Sequence, residues 1–226
     1  MILINQSAQL LDPKNTEEGI AILKAIEHAG RNCYASYDKV NETSYIKFIE
    51  SLIKRGHTAP LEFGDMTFAI TTSRAVLAEL TRHRLSSFCV ESQRYIQEAK
   101  TGDITFVKPE WYLETTERSD SNVDMSCKLW EHSMAEAETI YKNLSSLGKR
   151  PEEAREVLPN STACRIVMKA NVREWRHIFS LRCDKAAYPQ MRSLATIMLK
   201  QAHETIPVAF DDLYKQYTEI KGVSDE

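Results

Sequence analysis

Residues 162–182, TACRIVMKANVREWRHIFSLR, change periodicity at their midpoint, and that change decides the fold class. Up to residue 170 the pattern alternates: Cys164, Ile166, Met168 and Ala170 fall on one face, and Arg165, Val167 and Lys169 on the other, as a half-buried strand requires. Asn171 and Glu174 then stand at the spacing of a capping box, which opens a helix running through Leu181. A strand with one polar face that feeds directly into a helix predicts an α/β or α+β protein, mixed helices with a small sheet. Arg173 and His177, four apart, share a face of that helix, and Arg182 lies at or just beyond its end.

The same two periods recur upstream. A short strand is expected over 1–4, and a helix over 17–30 with Ile20, Leu23 and Ile26 on one face. Asn41 or Thr43 caps a second helix with a broad apolar stripe from Tyr45 to Ile53, and Gly56 stands where a left-handed C-terminal cap belongs. Met66, Phe68 and Ile70 alternate as a strand, and Ser73 begins a helical run, SRAVLAELTRHR, with Val76, Leu77 and Leu80 inward. From Cys127, the positions Trp130, Met134, Ala137, Tyr141 and Leu144 recur at a period near 3.5, the seam of a long helix packed on another helix or on a neighbouring subunit. Gly148 and Pro151 break it, and Pro189 and Pro207 suit the first turns of two last helices. Only the charged tail after Gly222 reads as loose.

At 226 residues the chain fits one domain, 1–226, acting as a single functional unit. Its 42% hydrophobic and 27% charged content is that of a globular protein rather than a disordered one, and no stretch approaches the roughly eighteen apolar residues of a membrane span. The start, MILINQSAQLLD, lacks the basic region and cleavage site of a signal peptide. Five scattered cysteines without a CxxC pair argue against a disulfide framework and a zinc site, so a reducing cytoplasm is the simple reading. No metal-ligand spacing appears among the histidines, and His28, His132 and His203 sit in helical patterns. A net charge of −3 gives the molecule as a whole no attraction to nucleic acid, so any anion site must be local.

TRHRLSSFCVESQRY, residues 81–95, is where cations concentrate. If the helix from Ser73 continued through Arg84, Arg82 and Arg84 would differ by about 200° around its axis and could not grip one phosphate together. Either the helix ends before them, or each serves a different ligand or a different wall of a site shared between subunits. Ser92 and Arg94, in a stretch that reads extended, point the same way. The bland alternative is that Arg82 and Arg84 are exposed cations favoured by a helix C-terminus. The second cluster, Arg165, Arg173, His177 and Arg182, weighs toward nucleotide ligands, because guanidinium forks match a phosphate or a uracil edge. The glycines at 19, 30, 56, 64, 102, 148 and 222 are isolated, which excludes a Rossmann or P-loop cradle and leaves side chains and helix ends, such as the one at Asn171, to hold anions. Cys89 reads as a loop cysteine of the small, buried kind, and Ser92 has no GxSxG context. His57, in GHTAPLEF just after a helix end, reads either as a polar cap or as a site residue.

Arg82-His83-Arg84 followed by seven residues and Ser92 resembles the RHRx7S signature of the flavin-dependent thymidylate synthases, with SQRY (92–95) extending it. AGRNCYAS, GHTAPLEF (56–63), PEEAREVLPNSTACR (151–165), NVREW (171–175) and SLRCDKAAYPQMR (180–192) follow in the same order, so the likeness spans most of the chain. The resemblance implies a homotetramer whose long helices pack at subunit interfaces and whose active sites are shared between subunits. Each site would hold FAD and dUMP, with NADPH and methylenetetrahydrofolate as co-substrates. It implies FAD-contacting positions at His57, Arg82, His83, Arg84, Asn171, Arg173 and His177. It implies dUMP-contacting positions at Glu79, Arg82, Glu91, Ser92, Gln93, Arg94, Arg165 and Arg182, with Arg182 the catalytic residue that favours ionisation at N3 of the uracil.

The sequence departs from that pattern at several places. Glu79 replaces a glutamine, Val90 replaces a glutamate that here follows one place later as Glu91, Ala59 replaces a hydroxyl residue, and His177 replaces an asparagine found in some relatives. A rival reading from another class keeps the same arginines on phosphates without catalysis, in a nucleotide or single-stranded RNA binding protein that stacks bases on Tyr95 or Trp175.

Overall fold

The strand-to-helix junction at residue 171 is built as its sequence dictates. In the computed structural model, which describes residues 1–94, 102–118 and 121–219, Ala163–Asn171 is a strand with Cys164, Ile166, Met168 and Ala170 buried and Arg165, Val167 and Lys169 exposed. Asn171 leaves the strand in extended conformation and its Oδ1 accepts the Glu174 N–H at 2.8 Å, which caps the helix Val172–Arg182. Only this half of the expected capping box forms, because the Glu174 carboxylate faces His83 instead.

The strands are β1 (Ile2–Ile4), β2 (Ser7–Asp12), β3 (Asp65–Ser73), β4 (Ser86–Val90), β5 (Thr105–Val107) and β6 (Ala163–Asn171). The helices are α1 (Thr16–Cys33), α2 (Ser44–Lys54), α3 (Arg74–Leu80), α4 (Glu110–Arg118), α5 (Ser121–Ser146), α6 (Pro151–Ala154), α7 (Val172–Arg182), α8 (Pro189–Thr205) and α9 (Pro207–Tyr214). β1 and β5 pair in parallel, Leu3 opposite Phe106, and the larger sheet has the order β2-β3-β6-β4. Bonds at both ends of the β3/β6 pair, Val172 N–H to Gly64 O and Arg74 N–H to Thr162 O, show those two strands to be antiparallel. Helices thus accompany small sheets, as the mixed periodicity predicts.

The chain gathers into two compact units. The first comprises Met1–Ser7, Ile70–Arg82 and Cys89–Ile166; the second comprises Ala8–Ala69, His83–Phe88 and the residues from Val167 onward. In the first, Ile104, Phe106, Met134, Tyr141 and Ala154 form a core over which Trp130 and Leu144 pack. The apolar seam of α5 therefore serves this unit, and the helix starts at Ser121, earlier than its periodic residues alone suggest. In the second, Ile26, Ile49, Leu52, Leu61, Phe68, Trp175, Phe179 and Phe210 are sealed from solvent.

Trp175 cannot serve as a stacking platform for bases. It is fully buried, its ring packs against Phe68 and Phe179, and its indole N–H donates to Met66 O at 3.0 Å. Tyr95, the other residue considered for that task, and the tail after Gly222 lie outside the described residues. Cys89 is also placed differently from expectation, on β4 and exposed, while all five cysteines are free thiols. Among the described residues no helix is long and apolar enough to cross a membrane.

Candidate active site

Within the second unit, a helix cap sets the first site residue. Gly56 takes φ 70° after α2, and the bonds His57 N–H to Leu52 O (2.9 Å) and Gly56 N–H to Ile53 O (3.0 Å) close a Schellman motif. The His57 backbone is thus the polar cap foreseen for it, while its ring is held at Nδ1 by the Tyr34 hydroxyl at 3.1 Å. The 3-10 turn Ala59–Phe63 follows and presents Glu62, which accepts from Arg173 Nη1 of α7 at 2.5 Å.

α3 ends at Leu80, so the helix does stop before the two arginines that would otherwise face apart. Arg82 and Arg84 are exposed and His83 between them is buried, 5% exposed. Arg182, in the last turn of α7, donates its Nε–H to His83 Nε2 at 3.0 Å. A guanidinium is only ever a donor, so this bond requires a lone pair at Nε2 and hence a neutral imidazole with its proton on Nδ1. Nδ1 faces Glu174 Oε1 at 3.6 Å. Burial first, then the neighbouring charges of Arg182 and His177, hold the His83 pKa down to about 4. Burial pushes the Glu174 carboxyl upward, against a smaller opposing pull from His177. His177 is exposed, its ring 6.2 Å from that of His83 and edge-on to it. The structure thereby brings together His83, His177 and Arg182 around α7, with Arg173 on its first turn.

In the first unit two of the positions expected for the nucleotide, Glu91 and Arg165, meet just after β4. The Glu91 N–H donates to Arg165 O at 2.9 Å, and Arg74 Nη2 donates to Glu91 O at 3.2 Å, so the chain after β4 is pinned beside β6. Residues 91–94 are not extended, contrary to the expectation that Ser92 and Arg94 point the same way. β4 stops at Val90, and the Ser92 hydroxyl accepts the Arg94 N–H at 3.3 Å, the local side-chain bond that turns a backbone. Gln93 holds its Nε2 buried with no hydrogen-bond partner. Arg165 projects from the exposed face of β6, and Glu79 lies half-buried on α3. Sequence reasoning missed Arg74, an ordinary first-turn residue by pattern, and Glu174, which reads as half of a cap until the ring beside it is seen.

A family model described as thymidylate synthase complementing protein matches residues 21–208. The chain belongs to that family. Its members similar to this chain include a probable flavin-dependent thymidylate synthase of Mycobacterium phage D29, 36% identical over 83% of this chain and 81% of its own. A flavin-dependent thymidylate synthase of Corynebacterium aurimucosum is 34% identical over 88% of this chain and 83% of its own, and one of Geobacter sulfurreducens is 32% identical over 83% and 80%. Among solved structures, a UMP/dUMP methylase, PolB, of Streptomyces cacaoi bound with 5-Br dUMP has the same fold, with a TM-score of 0.77 over 97% of this chain and 99% of its own at 24% identity. Membership of the family agrees with the resemblance read from RHRx7S.

Proposed function

We propose that the chain makes dTMP by reductive methylation of dUMP, with FAD as its redox cofactor, methylenetetrahydrofolate as carbon donor and NADPH as reductant. The observation that carries this reading is Arg182, whose Nε–H edge is held by a neutral, buried imidazole that fixes the orientation of that edge. A fixed positive charge beside the uracil N3–H stabilises the anion left when that proton departs and makes C5 more nucleophilic. The balance is a two-electron one: NADPH becomes NADP⁺, the folate's methylene carbon becomes the methyl group on C5, and tetrahydrofolate leaves.

The residues present fit a flavin dinucleotide. Arg82 and Arg84 are exposed and engage no carboxylate among the described residues, the charge pattern a pyrophosphate needs where no glycine-rich loop exists. Arg173, His57, His177 and the amide nitrogen of Asn171 complete the set, with the Asn171 oxygen already committed to its helix. His83, with both ring nitrogens facing protein groups, supports the site from behind. When bound, FAD supplies the hydride that the transferred carbon requires. Glu79, Arg82, Glu91, Ser92, Gln93, Arg94 and Arg165 hold the nucleotide, in part from a neighbouring subunit. A homotetramer acting in the cytoplasm, each chain one functional unit over 1–226, completes the reading. Met125, Leu129 and Ile140, apolar and exposed along α5, support helix packing between subunits.

The rival, a non-catalytic nucleotide or RNA binder, loses its described stacking residue with Trp175 buried. The test is an absorbance spectrum of the purified protein, before and after NADPH, with and without dUMP. A flavin band that NADPH bleaches faster when dUMP is present is expected; a colourless protein that cannot be reconstituted with FAD would overturn the reading.

A further inference from the structure

His83 is reached from two sides by one helix. Glu174 in the first turn of α7 and Arg182 in its last turn converge on the two nitrogens of the same ring, at 3.6 Å from Nδ1 and 3.0 Å from Nε2. Both His83 and Glu174 are sealed, 5% and 7% exposed. Arg182 remains a donor at every accessible pH, so its Nε–H contact with His83 depends on the ring offering a lone pair at Nε2. A neutral imidazole has two tautomers, and only the one protonated at Nδ1 does so. The other would set N–H against N–H at the Arg182 contact. A carboxylate facing Nδ1 selects between them: it attracts an N–H and repels a lone pair. At 3.6 Å this selection is electrostatic rather than a formed hydrogen bond, which a buried setting strengthens.

We propose that Glu174 is a positioning residue, whose carboxylate holds His83 in the Nδ1–H tautomer and so aims Arg182. Its activity consequence rests on the dTMP-forming reading; its tautomer consequence does not. The side chain can be changed without removing the cap of α7, because Asn171 binds the backbone N–H of Glu174.

The experiment compares the FAD-loaded wild type with Glu174→Gln and Glu174→Leu, by steady-state kinetics and by ¹⁵N NMR of histidine-labelled protein, with His83 assigned by its loss in His83→Gln. Wild-type His83 should carry its proton on Nδ1. Glu174→Leu should mix the tautomers and lower kcat on the order of 10- to 100-fold, the usual scale for a supporting contact, with the KM for dUMP changed by less than about threefold if Arg182 acts on the reacting ring rather than in holding the nucleotide. Glu174→Gln, whose amide oxygen can still accept from Nδ1–H, should restore most of the rate. An Nε2–H tautomer in the wild type overturns the proposal, even if Glu174→Leu fails to fold. So does a Glu174→Leu kcat within threefold of wild type. A protein that forms no dTMP, yet whose His83 tautomer shifts on Glu174→Leu, would refute the functional reading while supporting the link between these side chains.

Discussion

Arg182 and His83, ninety-nine positions apart, meet through an Nε–H to Nε2 hydrogen bond of 3.0 Å. That bond makes a neutral histidine the mount for the residue on which the proposed chemistry turns. Arg182→Ala should therefore remove most dTMP formation, by at least about 10²-fold as for loss of a transition-state donor, while FAD stays bound. Arg182→Lys should fare little better, since an ammonium cannot offer one edge to His83 and another to a pyrimidine. Product assay by chromatography and flavin absorbance of the same samples check both halves. Near-normal turnover of Arg182→Ala would remove its assigned role.

The depressed pKa of His83 predicts a pH-dependent stability. From an ordinary value of 6.5 in the unfolded chain to about 4 in the fold, the unfolded state binds a proton that the native state refuses. Stability is thus fully retained above about 6.5 and falls as the pH drops toward 4. Between pH 7 and pH 5 this one ring should cost about 2 kcal/mol. The groups facing it are Arg182, Glu174 and His177. Urea unfolding at the two pH values, at fixed protein concentration, should show a steeper decline for wild type than for His83→Gln; equal slopes would mean that His83 is not held neutral.

Gln93 and Arg165 should each weaken nucleotide binding when replaced, without loss of stability. Burying the Gln93 amide nitrogen without a partner costs free energy that a polar ligand would return, on the order of 1–3 kcal/mol. Gln93→Leu should leave the melting temperature unchanged or higher and weaken dUMP by about tenfold or more. Arg165→Ala, from the exposed face of β6, should leave stability unaltered within about 0.5 kcal/mol and also weaken dUMP. Calorimetric titration with dUMP reads both, and affinities equal to wild type would place the nucleotide elsewhere.

Glu138 anchors the first unit. Its carboxylate accepts the Ile104 N–H at 2.8 Å and meets the Met1 ammonium at 2.8 Å and Lys142 at 3.0 Å, although only a tenth of the side chain is exposed. Burial pushes its pKa up, but these three partners outweigh burial and leave it below the usual carboxylate value. Its stabilisation is present above about pH 4.5 and is lost as the pH falls through the lower folded value. Glu138→Leu should destabilise the protein by about 1–3 kcal/mol at pH 7, because it strands a buried N–H, and should flatten the acid limb below pH 4.5. Unchanged unfolding midpoints would contradict that role.

Much of this was legible in the sequence because the deciding signals are local. The alternation over 163–171, the Asn171 cap and Gly56 each act within a few residues, and the structure reproduces all three. What was not legible depends on pairings across the chain. Ser92–Arg94 reads extended by composition, yet a hydroxyl two residues back turns it. Trp175 reads as an available aromatic until β3 supplies a carbonyl for its indole. Glu174 has the spacing of a capping partner, and only the fold, by burying His83 beside it, gives its carboxylate another task. The family resemblance reached the arginines because their spacing is a motif, but it carries no information on which proton sits on which nitrogen.

The most direct test is product formation by the purified protein supplied with FAD, NADPH, methylenetetrahydrofolate and dUMP. The account predicts dTMP appearing in step with NADPH consumption, and none when FAD, dUMP or the folate is withheld. A flavin-loaded, folded protein that consumes no NADPH and yields no dTMP would contradict it.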